Sequence, residues 1–470
     1  MNFYFEVAKT LDRIDAKEGS IKGLIATLPE KDRKRSAALI IETLKFKPAL
    51  SEVISKTNLM KEERKLTSKN LVLVLVHDLL LAKGIQAGDG PIKQAILRHK
   101  TRLRGEFQKI KIKHGASTNE QLAHSGDERA ALIPRYVRIN TTMGTPAEVL
   151  ESLVSRGFVL SGPFSSKKGF AKDSHVPNLL LFDPNVSFQD DPLYKSGKII
   201  LQDKASCFPA LVLSPPAADS SVIIDATAAP GNKTSHLSAL MENKGKLYAF
   251  ERDRKRFSTL KMMLSKAGCS NVSPINADFL TTDPNDPQFS AVTHILLDPS
   301  CSGSGIVNRL DYLLEAESED DTVKDDRLDK LAAFQLMMIK HAMRFPNVKR
   351  IVYSTCSIHA TENERVVRNA LNSDEAKAGP FQLAPRSEVL PTWPRRGYGE
   401  EMESPEQADS VIRCLPGEDA TNGFFVSCFI KGSHAPPTKR KIEDEDGDEV
   451  PSQPSRKKKK KKKKTNNQLD

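Results

Sequence analysis

The sequence predicts an α/β protein whose largest part is a doubly wound, parallel sheet. Two observations carry this reading. Beyond residue 220, short apolar strands at 222–226, 246–250, 272–275, 294–297 and 349–354 alternate with helical segments, the rhythm of repeated βα units covered by helices on both faces. The ends of these strands also gather small residues, carboxylates and thiols, and open α/β sheets bind ligands at that edge. A last apolar run, 424–430, is placed to close the sheet.

The rest of the chain reads as three further parts, in keeping with 470 residues at about 150 per domain. Residues 1–125 form a helical N-terminal domain: stretches such as 36–44 and 71–83 mix apolar clusters with charges and hold no Gly or Pro. Within it, 93–114 carries eight Lys/Arg against the single acid Glu106, with Ile96, Leu97, Leu103 and Phe107 interspersed. That run is either a solvated helix face or an RNA-facing surface, and one charge run does not decide between them. A polar linker follows at 115–127. Residues 130–215 change pattern, with strands at 136–139 and 178–182 around a helix at 146–156, a small α+β module. The sheet domain occupies 216–432.

Residues 433–470 lose apolar content. Lys439, Arg440 and Lys441 precede an acidic patch, and Arg456 opens an unbroken lysine run to residue 464. A like-charge block cannot pack a core and is expected to be disordered. It reads as a two-part nuclear or nucleolar address, against the plainer alternative of a solubilising tail. The chain's formal charge is +11, but 438–470 hold 12 Lys/Arg against 7 Asp/Glu, so the body carries only +6. That mild excess favours an anionic partner such as nucleic acid without requiring one.

Several classes are excluded. No apolar run reaches the roughly 18–20 residues of a membrane span, because His77 and Asp78 interrupt the best candidate. The N-terminus has no positively charged segment before an apolar one and so is not a secretory signal. Cysteines 207, 269, 301, 356, 414 and 428 are far apart and form no Cys-x-x-Cys pair, which argues against a disulfide scaffold and against a metal site.

The segment VIIDATAAPGNKTSHLSALM at 222–241 is the most informative turn. A buried strand ends at Asp225, a tight turn of small residues follows, and an amphipathic helix is expected from about Asn232. Small residues let backbone approach a ligand, and the helix N-terminus favours its carboxylate or phosphate. A P-loop is excluded because Asn232 separates Gly231 from Lys233, and a dinucleotide fingerprint because only one glycine is present. Twenty residues beyond Gly231, the second strand ends in Glu251, where a carboxylate can accept ribose hydroxyls. Asp278 follows the third strand, suitably placed for an adenine amino group. Each carboxylate alone reads as a loop residue or cap; together they indicate a nucleoside cofactor.

The fourth strand runs into Asp298-Pro-Ser-Cys301-Ser-Gly and the fifth into Tyr-Ser-Thr-Cys356-Ser. Cysteines 207, 269, 414 and 428 read as small buried hydrophobes, whereas Cys301 and Cys356 follow strand ends. These segments, DATAAPGNKTS, LLDPSCSGSG and YSTCS, resemble the RNA cytosine-C5 methyltransferases of the Sun-domain (nucleolar-protein) family. PRYVRINT at 134–141, LQDKASC at 201–207 and TNGFF at 421–425 extend the likeness over about 130–430. SIKGLI at 20–25 and AAPGNKTSHL look most similar to the eukaryotic branch that acts on large-subunit ribosomal RNA. Thr227 departs from the pattern, since the family commonly has Cys there.

The resemblance implies a class I (Rossmann-like) methyltransferase domain, an RNA-recognition-like module before it, and S-adenosyl-L-methionine as cofactor. It implies large-subunit ribosomal RNA or a pre-ribosomal particle as partner, with nuclear and nucleolar residence. It makes Cys356 the nucleophile that adds to cytosine C6, a role suited to a thiolate. Cys301 then assists elimination and release, and Asp298 lies between cofactor and base. By the same carry-over the cofactor lies against Thr227, Ala228, Ala229, Pro230, Gly231, Asn232, Lys233, Glu251, Arg256 and Asp298, with Asp278 near adenine. Arg256 rests mostly on the resemblance; alone it reads as a solvated helix arginine. A noncatalytic ribosome-assembly factor, or a methyltransferase acting on another RNA, is the competing expectation.

Overall fold

A helix that is apolar on every side organises the N-terminal region. In the computed structural model, which describes residues 1–124, 128–307, 313 and 321–432, Lys69–Leu81 is buried continuously from Asn70 to Leu79. An all-apolar helix belongs inside a bundle, and helices Asn2–Asp15, Glu30–Lys45, Lys47–Lys56 and Lys100–Lys113 pack around it. Its few polar groups are satisfied. Asn70 donates to Asp12 Oδ1 at 2.7 Å and Asp15 Oδ2 at 2.9 Å, and Asp78 accepts from the Tyr4 hydroxyl at 2.5 Å.

The basic run at 93–114 forms the helices Pro91–Arg98 and Lys100–Lys113, which bury Ala95, Ile96, Leu103, Phe107 and Ile110. Five of its eight basic residues face carboxylates: Lys93 with Asp89, Arg98 with Glu63, Arg102 with Glu62, Lys109 with Glu106, and Lys113 with Glu52. Much of the run is thus neutralised locally, which favours the solvated face over an RNA-facing surface. Such exposed pairs add little stability.

Two sheets follow. The smaller contains β1 (Arg135–Ile139), β2 (Val159–Leu160), β3 (Gly169–Lys172), β4 (Leu179–Phe182) and β5 (Ile199–Leu201), in the order β2-β3-β4-β1-β5. The helix Pro146–Ser155, opened by a Thr145 side-chain cap, buries Val149 and Leu153 with this sheet's apolar residues. Strands β2 and β5 escaped the sequence reading because they have two and three residues, and β3 because its Gly-Phe-Ala-Lys shows no apolar run. The helix Lys204–Leu213, which the sequence grouped with this module, packs against the larger sheet instead.

The larger sheet contains β6 (Val222–Asp225), β7 (Lys246–Phe250), β8 (Val272–Ile275), β9 (Val292–Leu297), β10 (Arg350–Thr355), β11 (Phe381–Leu383), β12 (Ile412–Cys414) and β13 (Phe424–Lys431). Their order is β11-β13-β10-β9-β6-β7-β8, with β12 paired to β13. Strands β6 to β10 are mutually parallel wherever they pair, as expected. Pro274, which has no amide hydrogen to give a ladder, sits in the edge strand β8. The expectation of a parallel sheet is corrected at one side. Strand β13 runs antiparallel to β10 and β11, and it reaches its place as the second arm of a hairpin with β12. Strand β12 runs in the same sense as β10, and the second arm of a hairpin can only return antiparallel to the first.

The family-like segments outside the strand ends hold the layers together. Arg138 of PRYVRINT is buried in the small module and donates to Gln202 Oε1 at 2.7 Å and to Ser235 Oγ at 2.8 Å. Asn140 donates to Gly197 O and to Ala267 O. Asp203 of LQDKASC accepts from Thr421 and Asn422 of TNGFF at 2.5 and 2.8 Å. Gly423 of the same segment donates to Gly305 O at 2.7 Å, and a Cβ added at Gly305 would lie 2.2 Å from Gly423 O. Glycine at both positions is what lets the loop after β9 touch the last strand. Cys207, Cys414 and Cys428 are buried as expected, but Cys269 is only partly so. Among the described residues, no helix is long and apolar enough to cross a membrane, and no His/Cys/Asp/Glu cluster could hold a metal ion.

The buried pair Arg413–Glu364 ties β12 to the helix Glu364–Leu371, with Nε and Nη2 donating to the two carboxylate oxygens at 2.5 and 2.6 Å. Replacing Glu364 with Ala strands the guanidinium in the interior. It is expected to lower the free energy of unfolding in urea by about 3–5 kcal/mol; a loss below about 1 kcal/mol would contradict a structural role for the pair.

Candidate active site

The site forms where the strand order reverses, between β6 and β9, the position at which doubly wound sheets open a crevice. Strand β6 delivers Asp225 to a fully enclosed position. Its carboxyl accepts from Thr234 Oγ1 at 2.7 Å and from the Thr227 amide at 3.3 Å, joining the two ends of the turn. Burial pushes its pKa up to about 6. Ala228 donates its amide to Phe250 O at 2.8 Å, which pins the turn to the end of β7. The Ala229–Pro230 bond is cis, and Gly231 has φ of 113°, a conformation that favours glycine. A Cβ there would also sit 3.2 Å from Leu260 Cδ1.

Asn232 begins the helix Asn232–Leu240, as the sequence indicated, but the helix is not amphipathic. Thr234 through Ser238 are all buried, because the small module covers the face that would otherwise meet solvent: Arg138 reaches Ser235 Oγ and Asn232 O from that side.

The carboxylates at the strand ends take distinct environments. Glu251 has a side chain only 4% exposed; it accepts from the Asp253 amide at 2.8 Å and lies 3.5 Å from Arg256 Nη1. Arg256 is exposed, as its sequence alone suggested, yet its Nη2 donates to Ala229 O at 2.8 Å and joins Glu251 to the turn. Asp278 accepts from the Leu280 amide as a cap and from Arg252 at 3.3 Å. Its cap role and a ligand role are compatible, because each carboxylate oxygen has two lone pairs.

Asp298 connects this half of the site to the thiols. Its amide donates to Thr227 Oγ1 at 3.0 Å, so the threonine that departs from the family pattern serves the turn through its hydroxyl. Its carboxylate pairs with Lys233 Nζ at 2.7 Å and accepts from Ser354 Oγ at 2.7 Å. Burial lowers the Lys233 pKa, but the adjacent Asp298 outweighs it and holds the lysine pKa above its ordinary value. Ser354 lies two residues before Cys356 on the same chain.

The two thiols meet. Cys301 Sγ is 3.2 Å from Cys356 Sγ although 55 residues separate them. The hydrogen bond to Cys356, then burial, then the negative charge of Cys356, Glu362 and Asp298 raise the Cys301 pKa far above that of a free thiol. Either sulfur can be the donor across this contact. Beside the sulfurs, the hydroxyls of Ser302, Ser304 and Ser357 form a closed triangle with edges of 3.1, 3.2 and 3.2 Å, and Gly305 donates to Cys356 O at 2.9 Å. Hydrogen bonds and ion pairs thus link Thr227, Lys233 and Asp298 to the strand that leads to Cys356, and Glu251 and Arg256 to the turn, whereas the bonds of Asp278 run to Arg252 and Leu280. Asp225, Ser354, Gln335 and Glu362 were missed. The first two lie inside quoted segments, whereas Gln335 sits mid-helix and carried no signal.

A doubly wound sheet with a small-residue turn, strand-end acids and a thiol pair at its switch point defines a class I methyltransferase. Comparison with known proteins narrows this. A family model described as 16S rRNA methyltransferase RsmB/F matches residues 210–430, and models for the N-terminal and ferredoxin-like domains of NOL1/NOP2/Sun domain family member 5 match 34–123 and 133–202. A 25S rRNA (cytosine-C(5))-methyltransferase of Schizosaccharomyces pombe is 46% identical over 428 residues, 91% of each chain. A 28S rRNA (cytosine-C(5))-methyltransferase of Mus musculus is 39% identical over 97% of each. A solved methyltransferase homologue from Pyrococcus horikoshii, 22% identical, shares the fold at a TM-score of 0.50 over 80% of this chain and 99% of that one. The chain belongs to the NOL1/NOP2/Sun domain family, and it is an RNA (cytosine-C5)-methyltransferase.

Proposed function

We propose that this enzyme methylates C5 of a cytosine in large-subunit ribosomal RNA through a covalent bond from Cys356 to C6. The observation that carries the reading is the 3.2 Å thiol pair joined through Asp298 to the turn after β6. The RNA class follows the relatives, named for 25S and 28S rRNA.

The residues present suit S-adenosylmethionine, which when bound supplies an electrophilic methyl group. Small side chains at Ala228 and Ala229 and the left-handed Gly231 leave backbone open to close approach. The amides at Asn232 and Lys233 begin a helix and favour a carboxylate. Glu251 offers a buried acceptor for ribose hydroxyls, Arg256 orients it, Thr227 supports the turn, and Asp278 is at hand for adenine.

Cytosine C5 is a poor nucleophile. Addition of the Cys356 thiolate at C6 makes C5 electron-rich enough to take the methyl group. Asp298, oriented by Lys233 and Ser354, is placed to hydrogen-bond the activated base. Water takes the C5 proton, its C–H electron pair restores the C5=C6 bond, and the C6–S pair leaves with the Cys356 sulfur. The Cys301 thiol, already in contact, donates a hydrogen bond to that departing thiolate. A stacked cytosine must leave its stack to reach Cys356.

Three outcomes are expected. Cys356→Ala abolishes methylation and forms no RNA adduct on denaturing gels, while Cys301→Ala still attacks and retains RNA as a denaturant-resistant complex; the reverse pattern overturns the assignment. Glu251→Ala weakens S-adenosylmethionine binding by about 1.5–3 kcal/mol in calorimetry, the worth of a hydrogen bond to a charged acceptor, and unchanged affinity removes Glu251 from the cofactor site. The tail lies outside the described residues; deleting 438–470 is expected to move the protein out of the nucleolus with its methyl transfer intact, and an unchanged distribution refutes an address there.

A further inference from the structure

The contact between the two sulfurs has to be maintained across two different loops, and the residues on either side of Cys301 show how. The Ser302 amide donates to Glu362 Oε1 at 2.9 Å. On the other side, Ser300 O accepts from Gln335 Nε2 at 3.1 Å. The same Gln335 amide group donates to Glu362 Oε1 at 3.0 Å, so the two grips are one unit. Gln335 and Glu362 are both fully buried. The unit is also fastened to the strand that carries the other thiol: the Tyr353 hydroxyl, on β10 three residues before Cys356, lies 3.0 Å from Gln335 Oε1 and 2.5 Å from Glu362 O.

Ordinary packing does not account for this choice of residues. Glu362 Oε2 has no hydrogen-bond partner among the described residues, and an unsatisfied buried acceptor is costly. A carboxylate buried at that cost, with its other oxygen gripping the amide next to a reactive thiol, points to a task at the thiol.

We propose that Gln335 and Glu362 are positioning residues for release: they hold the Cys301 thiol in hydrogen-bonding contact with Cys356 while the C6–S bond breaks. The proposal rests on the assignment of Cys356 as nucleophile and Cys301 as release group. It adds no new chemical step, since the C5 proton goes to water and the C6–S electron pair to Cys356 as before. It separates attack from release, because the clamp grips the backbone on both sides of Cys301, whereas β10, which leads to Cys356, is held chiefly by its own ladders to β9 and β13.

The test uses the full chain with large-subunit ribosomal RNA from cells lacking the enzyme and with S-adenosylmethionine. Glu362→Ala and Gln335→Met are compared with the native enzyme and Cys301→Ala. Denaturing gels read the adduct, and methyl incorporation reads the first turnover and the steady state separately. The expected result is a first turnover near the native rate, a steady state slowed by about tenfold to a hundredfold, the scale of an ångström-level misplacement, and an accumulated adduct. Glu362→Gln, which keeps an acceptor for Ser302, is expected to release normally. Purely structural roles would lower the first turnover and the steady state together with no adduct, and that result overturns the proposal. If Glu362→Ala does not fold, Gln335→Met decides. If neither folds, a role confined to release is wrong. Absence of an adduct from Cys301→Ala would instead refute the assignment of the two thiols.

Discussion

Asp298 is the contact on which the rest of the site depends. One residue engages the turn after β6 through its amide, the first turn of the following helix through Lys233, and the thiol strand through Ser354. A methyl donor and a pyrimidine must meet within a few ångströms and at a fixed angle for transfer to occur. The turn at 227–233 and Cys356 are more than 100 residues apart in sequence, so something has to bridge them. A part-buried carboxylate with a charged and a neutral donor does this with defined direction, as apolar packing would not.

The small module and the last hairpin serve the same geometry. The small module does not merely precede the methyltransferase sheet; its buried Arg138 holds the helix that starts at Asn232. The Asp203–Thr421–Asn422 cluster and the paired glycines at 305 and 423 bring the last hairpin against the loop that carries Cys301. The segments that stand out in the sequence outside the strand ends therefore act mainly as joints. Their residue types are dictated by buried hydrogen bonds and by close backbone approach rather than by contact with reactants.

This explains what could be read in advance. The parallel strands β6 to β10 announce themselves because strands buried on both faces are continuous apolar runs, and the site residues cluster at their ends. Thr227, Glu251, Cys301 and Cys356 were found by that logic or by resemblance. The antiparallel hairpin β12–β13 was half hidden, since Ile412–Cys414 is three residues long and strand direction is set by a connection, not by composition. Arg256, Gln335 and Glu362 illustrate a second limit. Charged and amide side chains on helices and loops look solvated in a sequence, and only the fold reveals that Arg256 reaches Ala229 O or that Glu362 grips Ser302. The basic run at 93–114 shows the converse, for its carboxylate partners Glu52, Glu62 and Glu63 lie in an earlier stretch of chain.

The most direct measurement of the central claim traps the covalent bond in the native enzyme. Substrate RNA carrying 5-fluorocytidine has a fluorine where the C5 proton must leave, so elimination stops after methyl transfer and the enzyme stays bound. Digestion and mass spectrometry of the adduct then locate the attached nucleotide. The account predicts a single modified peptide with the nucleotide on Cys356 and Cys301 unmodified. Attachment at Cys301, or no attachment while ordinary RNA is methylated normally, would contradict it.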